Sequence, residues 1–90
     1  AWCNWTGSSA SINASYNVSS VTRISSGHWY VNFTNAFVDT KYAVLYTCGN
    51  NADQTFYTGS YANSTSQAWC SNFNGSTNVD TASNNLIAFR

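Results

Sequence analysis

An alternation of side-chain types in the middle of the chain constrains its fold more than any other feature. Within residues 28–34, tryptophan, valine and phenylalanine occupy every second position, and residues 42–47 repeat this period with tyrosine, valine and tyrosine. Side chains of a β-strand point alternately to its two faces, so a period of two indicates strands with one buried face. We predict that the two runs are central strands forming a pair of fixed register, with Trp29 directed inward and Tyr30 outward.

Shorter runs of the same kind follow one another at intervals of about ten residues. They lie at residues 1–5, 12–18, 21–24, 55–58, around 61, 67–73 and 86–89. Gly59 separates the fourth from the fifth, and turn signals such as Gly27 and Gly75 end others. Abundant asparagine, serine and threonine disfavour helix interiors, because their side chains compete for backbone hydrogen bonds. We therefore predict a single all-β domain over residues 1–90, an antiparallel β-sandwich of seven or eight short strands.

The low charge content and the short apolar runs of the chain each exclude one class of partner. Charged residues make up 7% of the sequence and the net charge is zero, so no basic stripe exists to neutralise nucleic-acid phosphates. No apolar run is long enough to span a bilayer, so we expect no membrane insertion. Proline is absent and cannot protect the outer strands of a sheet, so we expect loops or another subunit to cover these edges.

One stretch of the sequence resembles a known group of proteins. The segment 27–34, followed by Asp39 and by residues 41–44, resembles a segment that recurs in tail-fibre and related virion proteins of tailed bacteriophages, above all cyanophage-like marine ones. The flanks of this segment and the end of the chain are similar too, at residues 1–7, 16–22, 79–80 and 86–89. Cys3, Trp5 and Trp29 depart from the commoner residues of that pattern.

The resemblance implies a location in the virion, in a tail fibre or capsid appendage, as the terminal piece of a longer chain. Its implied function is non-enzymatic attachment to a host surface receptor, as a homotrimer. The alternative is a purely structural virion protein, either a capsid decoration or a fibre trimerisation domain without receptor contact. A third reading, a secreted lectin-like domain unrelated to virions, would require glycosylation and a Cys48–Cys70 bridge.

Little in the sequence favours catalysis. His28 is the single histidine, glutamate is absent, and Asp39, Asp53 and Asp80 lie far apart along the chain. No nucleophile elbow occurs, and a glycosidase would need two of these aspartates to converge within about 5–10 Å. Cysteine pairs with metal-binding spacing are missing as well. We predict that the protein is not an enzyme and uses neither a metal ion nor a cofactor.

Three cysteines allow at most one disulfide within the chain. Cys3, Cys48 and Cys70 are interpreted as small buried apolar residues, because unpaired cysteine is among the most buried residue types. A disulfide between Cys48 and Cys70 is the best alternative.

The aromatic residues are too numerous for one small core: the chain has four tryptophans, six tyrosines and five phenylalanines. The surplus fills subunit interfaces, where tyrosine and tryptophan are enriched, or forms a sugar-binding surface. Such a surface stacks aromatic rings on the apolar face of a pyranose and binds its hydroxyls with amide and hydroxyl side chains. The candidate stacking residues are Tyr30, Tyr57, Tyr61 and Trp69, and the candidate polar partners are Asn50, Asn51 and Asn63.

Overall fold

The computed structural model describes residues 1–50 and 54–90. These residues form eight strands: β1 (Trp2–Thr6), β2 (Ser11–Tyr16), β3 (Val18–Ser25), β4 (His28–Phe33), β5 (Ala43–Gly49), β6 (Tyr57–Ser64), β7 (Gln67–Phe73) and β8 (Ser83–Phe89). The all-β prediction and its number of strands are confirmed. No helix in the described ranges is long and apolar enough to cross a membrane.

The strands form two antiparallel sheets of four strands each. The first sheet has the order β2-β1-β8-β5, and the second has the order β3-β4-β7-β6. Alternate residues of both sheets point inward and together make the core, as in other β-sandwiches. Along β8, for example, every second residue is buried and the residues between them are exposed.

The predicted pairing of the two central runs is wrong. The first run is β4, which pairs with β3 and β7 in the second sheet, and the second run is β5, which pairs with β8 in the first sheet. The side chains of β4 point as predicted, since Trp29 is fully buried and Tyr30 lies on the outer face of the sheet. Alternation shows that a strand has one buried face, but it does not show which strand lies beside it.

A second difference concerns Gly59, which does not separate two strands. Strand β6 continues through it from Tyr57 to Ser64 and pairs with β7 along this length. A Cβ atom at Gly59 would lie 3.5 Å from Cζ3 of Trp69, whose ring covers the glycine. This distance is an ordinary van der Waals contact, so a side chain as small as that of alanine would also fit at this position.

Aromatic rings fill the centre of the core. Trp5 and Trp29 meet edge to face with centroids 5.8 Å apart, and Tyr46 lies parallel to Trp5 with its centroid at 5.9 Å. Both arrangements are favoured by the quadrupoles of the rings. A second aromatic cluster, near the connection between β4 and β5, consists of Phe33, Phe37 and Tyr42.

Buried polar groups join the two sheets next to this aromatic centre. The hydroxyl of Tyr46 on β5 donates to Oδ1 of Asn84 on β8 at 2.7 Å, and it accepts a hydrogen bond from Nδ2 of Asn72 on β7 at 3.2 Å. Asn72 also donates to Oγ1 of Thr81 at 3.0 Å, and Thr81 in turn donates to Asn84. We call Tyr46, Asn72, Thr81 and Asn84 the polar bridge.

Three of the four edge strands carry an extra residue that interrupts regular pairing. The pairing registers shift at Asn13 in β2, at Ser19 and Ile24 in β3, and at Asn63 in β6. Such bulges twist a strand and make it a poor template for strand addition. Strand β5 has no register shift in its pairing with β8, which makes it the most regular of the four edges.

The polar bridge gives a test of the core. Tyr46→Phe should lower the free energy of unfolding by about 1–2 kcal/mol, because two buried amides each lose a hydrogen-bond partner. Urea denaturation followed by tryptophan fluorescence measures the change. Tyr61→Phe is the matched control, since Tyr61 is 51% exposed, and it should change stability very little. Equal stability of Tyr46→Phe and the parent protein would contradict a structural role for the bridge.

Candidate functional site

The predicted stacking residues lie together on the outer face of the second sheet. Trp69 on β7 is paired with Tyr30 on β4 at one side and with Tyr61 on β6 at the other, so the three occupy one row across the strands. Tyr57 lies further along β6, where it is paired with Phe73. We call the surface formed by these five residues together with His28 the aromatic platform.

Trp69 is held between neighbouring rings. Its ring stacks on that of Tyr61 with centroids 5.0 Å apart and an angle of 30°, and the ring of His28 lies 5.8 Å away. Trp69 is half-buried, whereas Tyr61 is 51% and Tyr57 65% exposed. The platform therefore combines a fixed central ring with tyrosine faces that are open to a ligand.

A line of hydrogen-bonded side chains crosses the sheet beside the aromatic row. Asn63 donates to Oε1 of Gln67 at 2.6 Å, and Gln67 donates to Oδ1 of Asn32 at 2.9 Å. Asn32 then donates to Oγ of Ser20 at 2.9 Å and to Oγ1 of Thr22 at 3.0 Å. We call these five residues the amide ladder. Because each amide is bonded to the next, the ladder holds donors and acceptors in fixed positions at the surface.

The structure separates the candidate polar partners. Asn63 belongs to the amide ladder and lies near the platform. Asn50 lies beyond the end of β5, where its side chain bonds Gln54 and accepts from the backbone N–H of Ala82 at 2.7 Å. It therefore ties two loops together and does not belong to the platform. Asn51 lies outside the described residues.

Several members of this surface were not predicted from the sequence. Gln67 and Asn32 face outward because they alternate with inward-facing residues of β7 and β4. The alternation that predicted an outward Tyr30 also predicts an outward Asn32, so the sequence contained the signal for the position of Asn32. The contact between Asn32 and Gln67 could not be predicted from the sequence, because it depends on β4 lying beside β7.

Among the described residues, the aromatic platform contains no ionised carboxylate and no strongly basic group. Arg23 is the only Asp, Glu, Lys or Arg within the eight strands, and it reaches away to Asp80 at the sheet edge, at 2.8 Å. Uncharged amide, hydroxyl and aromatic groups therefore make up the surface. It suits an uncharged ligand, because a charged one would find no opposite charge to replace its hydration.

The described carboxylates have structural roles. Hydrogen bonds from Arg90 lower the pKa of Asp39, with donor–acceptor distances of 2.8 Å. Burial by itself would raise the pKa of Asp80, but hydrogen bonds from Arg23 and the backbone of Gly27 outweigh it and lower the pKa. Each aspartate is thus ionised and held by its own arginine. Asp53 lies outside the described residues.

No group of three or more metal-ligating side chains occurs among the residues that the structure describes. The Nδ1 atom of His28 lies 3.1 Å from Oγ of Ser25 and 3.0 Å from the carbonyl oxygen of Ser26. This histidine is therefore bound to its own turn on one side and packs against Trp69 on the other. It serves as a side wall of the platform.

All three cysteines are free thiols in the structure. Cys3 and Cys70 are buried, and Cys48 is half-buried on the opposite sheet from Cys70. Burial raises the pKa of Cys3 to about 11, and burial also raises the pKa of Cys70. A thiol with a raised pKa is rarely a thiolate and therefore reacts slowly.

The outer face of the first sheet is a second exposed surface of different character. One row of neighbouring residues crosses all four strands of this sheet and consists of Tyr16, Trp2, Ile87 and Leu45. Their exposed fractions are 68%, 44%, 49% and 57%. We call this row, together with the 54% exposed Phe89, the apolar face. It is richer in aliphatic residues than the platform.

Comparisons with known proteins do not assign either surface. No protein-family profile matches the chain, and no curated protein or solved structure is significantly similar to it.

The buried thiols predict a loss of stability at alkaline pH. A group whose pKa is higher in the folded state releases its proton more readily on unfolding, so its stabilisation is complete below the unfolded pKa and is lost above it. For Cys3 the loss should begin near pH 9.0 and continue through about pH 11. Urea denaturation in the presence of a phosphine reductant measures this decline, and Cys3→Ala should make it shallower. A decline of the same slope in both proteins would contradict the assignment to Cys3.

Proposed function

We propose that the protein is a non-enzymatic attachment domain whose aromatic platform binds an uncharged glycan on a cell surface. The single observation that carries the proposal is the row of Tyr30, Trp69 and Tyr61 on one exposed sheet face, with the amide ladder beside it. Three residues chosen for their chemistry in separate parts of the sequence lie side by side. A row of this kind has no role in the core.

The chemistry of the two components is complementary to that of a sugar chain. The negative face of an aromatic ring attracts the slightly positive C–H groups on the apolar side of a pyranose. The amide ladder runs alongside and offers hydrogen bonds to the hydroxyls at the edge of the ring. Because the ladder is already bonded within itself, little side-chain entropy is lost on binding.

We place this domain in a virion, in a tail fibre or appendage of a tailed bacteriophage, and propose that it acts as a homotrimer. The resemblance of residues 27–34, Asp39 and residues 41–44 to such proteins supports this assignment, and so does the apolar face. Three domains bound side by side turn weak single sites into tight attachment, because every bound site raises the effective concentration of the next. A flat, open platform with modest affinity fits such multivalent use.

The apolar face also favours the alternative, a purely structural virion protein. Large exposed apolar patches commonly mark protein–protein contacts. Such a role would require the apolar face alone and would leave the aromatic platform without a ligand. The two proposals therefore differ in what the platform does, and they agree on self-association.

Substitution of the central ring tests the attachment proposal. Trp69→Ala should weaken binding to host-cell glycans at least tenfold, because it removes the ring on which the row is centred. Binding is measured by affinity electrophoresis in purified host polysaccharide and by a glycan array. Circular dichroism checks that the variant folds.

Val38→Ala provides the control, since Val38 is 83% exposed between β4 and β5 and belongs to neither surface. It should leave glycan binding by each domain unchanged. Binding that persists in Trp69→Ala, or that is absent from the parent protein, would favour the structural alternative.

Self-association has its own test. Leu45→Ser combined with Ile87→Ser should convert the trimer to monomers, because the centre of the apolar face becomes polar. Sedimentation velocity measures the change, and Tyr57→Ser, a substitution of an exposed ring on the other sheet, should leave the trimer intact. A parent protein that sediments as a monomer at high micromolar concentration would exclude this use of the face.

A further inference from the structure

A depression at one end of the sandwich shares Tyr16 with the apolar face and otherwise lies outside both surfaces. It lies where β2 passes into β3, beside the loop that follows β4, and it has a volume of about 450 Å³. Tyr16, Asn17, Thr34 and Asn35 line it. We call it the end pocket. Its size falls within the range of about 300–1,000 Å³ that is typical of small-molecule sites.

The floor of the end pocket is held by Asn17. Its side chain donates to the carbonyl oxygen of Asn35 at 3.1 Å and accepts from the N–H of Asn35 at 2.8 Å. The N–H of Thr34 donates to the carbonyl oxygen of Asn17 at 3.2 Å. These three hydrogen bonds fix the loop after β4 against β3. The pocket is therefore formed before any ligand enters it.

Asn17 also has a backbone conformation that few residues adopt. Its φ is 56°, in the left-handed region that asparagine tolerates better than most residues. This conformation turns the chain from the first sheet to the second within a single residue. It thereby sets Tyr16, the last residue of β2, opposite the loop that contains Thr34 and Asn35.

The lining supplies polar groups that the fold itself does not use. Within the described ranges, the hydroxyls of Tyr16 and Thr34 and the side-chain amide of Asn35 make no hydrogen bonds to the protein. The ring of Tyr16 is 68% exposed and forms an apolar wall. The residues that line the pocket thus offer one aromatic ring, two hydroxyls and one side-chain amide that the fold does not use.

These groups define the class of ligand. None of the described residues that line the pocket is an Asp, Glu, Lys or Arg, so an ion would lose hydration there without gaining an opposite charge. A wholly apolar ligand would leave the amide and the hydroxyls without partners. A compact, uncharged molecule with one apolar side and several hydroxyls satisfies the whole lining, and a single pyranose ring has this form.

We propose that the end pocket is a second sugar site, which holds one uncharged pyranose ring independently of the aromatic platform. Thr34 follows Asn32 of the amide ladder by two residues, a separation of roughly 7 Å along an extended chain. The platform would hold the length of a glycan chain, and the pocket would hold a chain end or a branch. The domain would then engage one glycan at two places, which increases its affinity without new contacts at either.

The test is an NMR titration of the ¹⁵N-labelled protein with the methyl glycosides of glucose, galactose, mannose and N-acetylglucosamine. At least one of them should cause saturable shifts in the backbone signals of Asn17, Thr34 and Asn35, with a dissociation constant on the order of 1 mM. Asn35→Ala should weaken this binding about tenfold, the scale of one lost hydrogen bond. Its backbone bonds to Asn17 remain, so the fold is retained.

Two exposed tyrosines give the matched comparison. Tyr16→Ala should remove the wall and abolish the shifts, whereas Tyr57→Ala, at 65% exposure in the parent protein, should leave them unchanged. Trp69→Ala should not alter affinity at the pocket either, so failure of the platform and failure of the pocket are distinguishable. Absence of saturable shifts with all four glycosides, or shifts that survive both Tyr16→Ala and Asn35→Ala, would overturn the proposal.

Discussion

The polar bridge between the sheets is the interaction on which the rest of the structure depends. Tyr46 and Asn84 belong to the first sheet and Asn72 to the second, so their hydrogen bonds fix how the two sheets lie against each other. Apolar contacts alone tolerate sliding, whereas buried donors and acceptors must meet specific partners or remain unpaired at a cost of about 1–3 kcal/mol each. The same bridge positions Trp5, because Asn84 donates to the carbonyl oxygen of Trp5 at 3.3 Å. A small domain with a thin core gains a single defined packing in this way.

The outer faces of the two sheets are exposed and have the same arrangement of side chains. In each, a row of large side chains crosses all four strands or most of them, with a line of hydrogen-bonded amides beside it. On the first sheet the amide line consists of Asn13, Asn4 and Asn85, joined at 2.8 Å and 2.7 Å. The rows differ in composition, since the row of the second sheet is aromatic and that of the first is partly aliphatic. Aromatic rings suit sugars as well as proteins, whereas aliphatic side chains chiefly bury area against another protein surface.

The scarcity of charge explains both the openness of these faces and the way in which the edges are protected. Charged side chains, above all lysine, are one common means of protecting edge strands, but this chain has only 7% charged residues. It uses extra residues in β2, β3 and β6 instead, and one of them, Asn63, also carries the end of the amide ladder. Protection of an edge and construction of a candidate binding surface are therefore achieved by the same residue.

The sequence by itself determined that the chain is all-β, most of its strands and the chemistry of the exposed residues, because these follow from a period of two and from side-chain type. It thus predicted Trp29 inside, Tyr30 outside and a set of candidate stacking residues. Only the tertiary structure decided that β4 and β5 lie in different sheets, that Trp69 lies between Tyr30 and Tyr61, and that Asn50 braces a distant loop. Strand neighbours are chosen by long-range packing between segments that are far apart in the chain. No local sequence pattern shows which strands will be neighbours. The candidate site consists of contacts between such neighbouring strands.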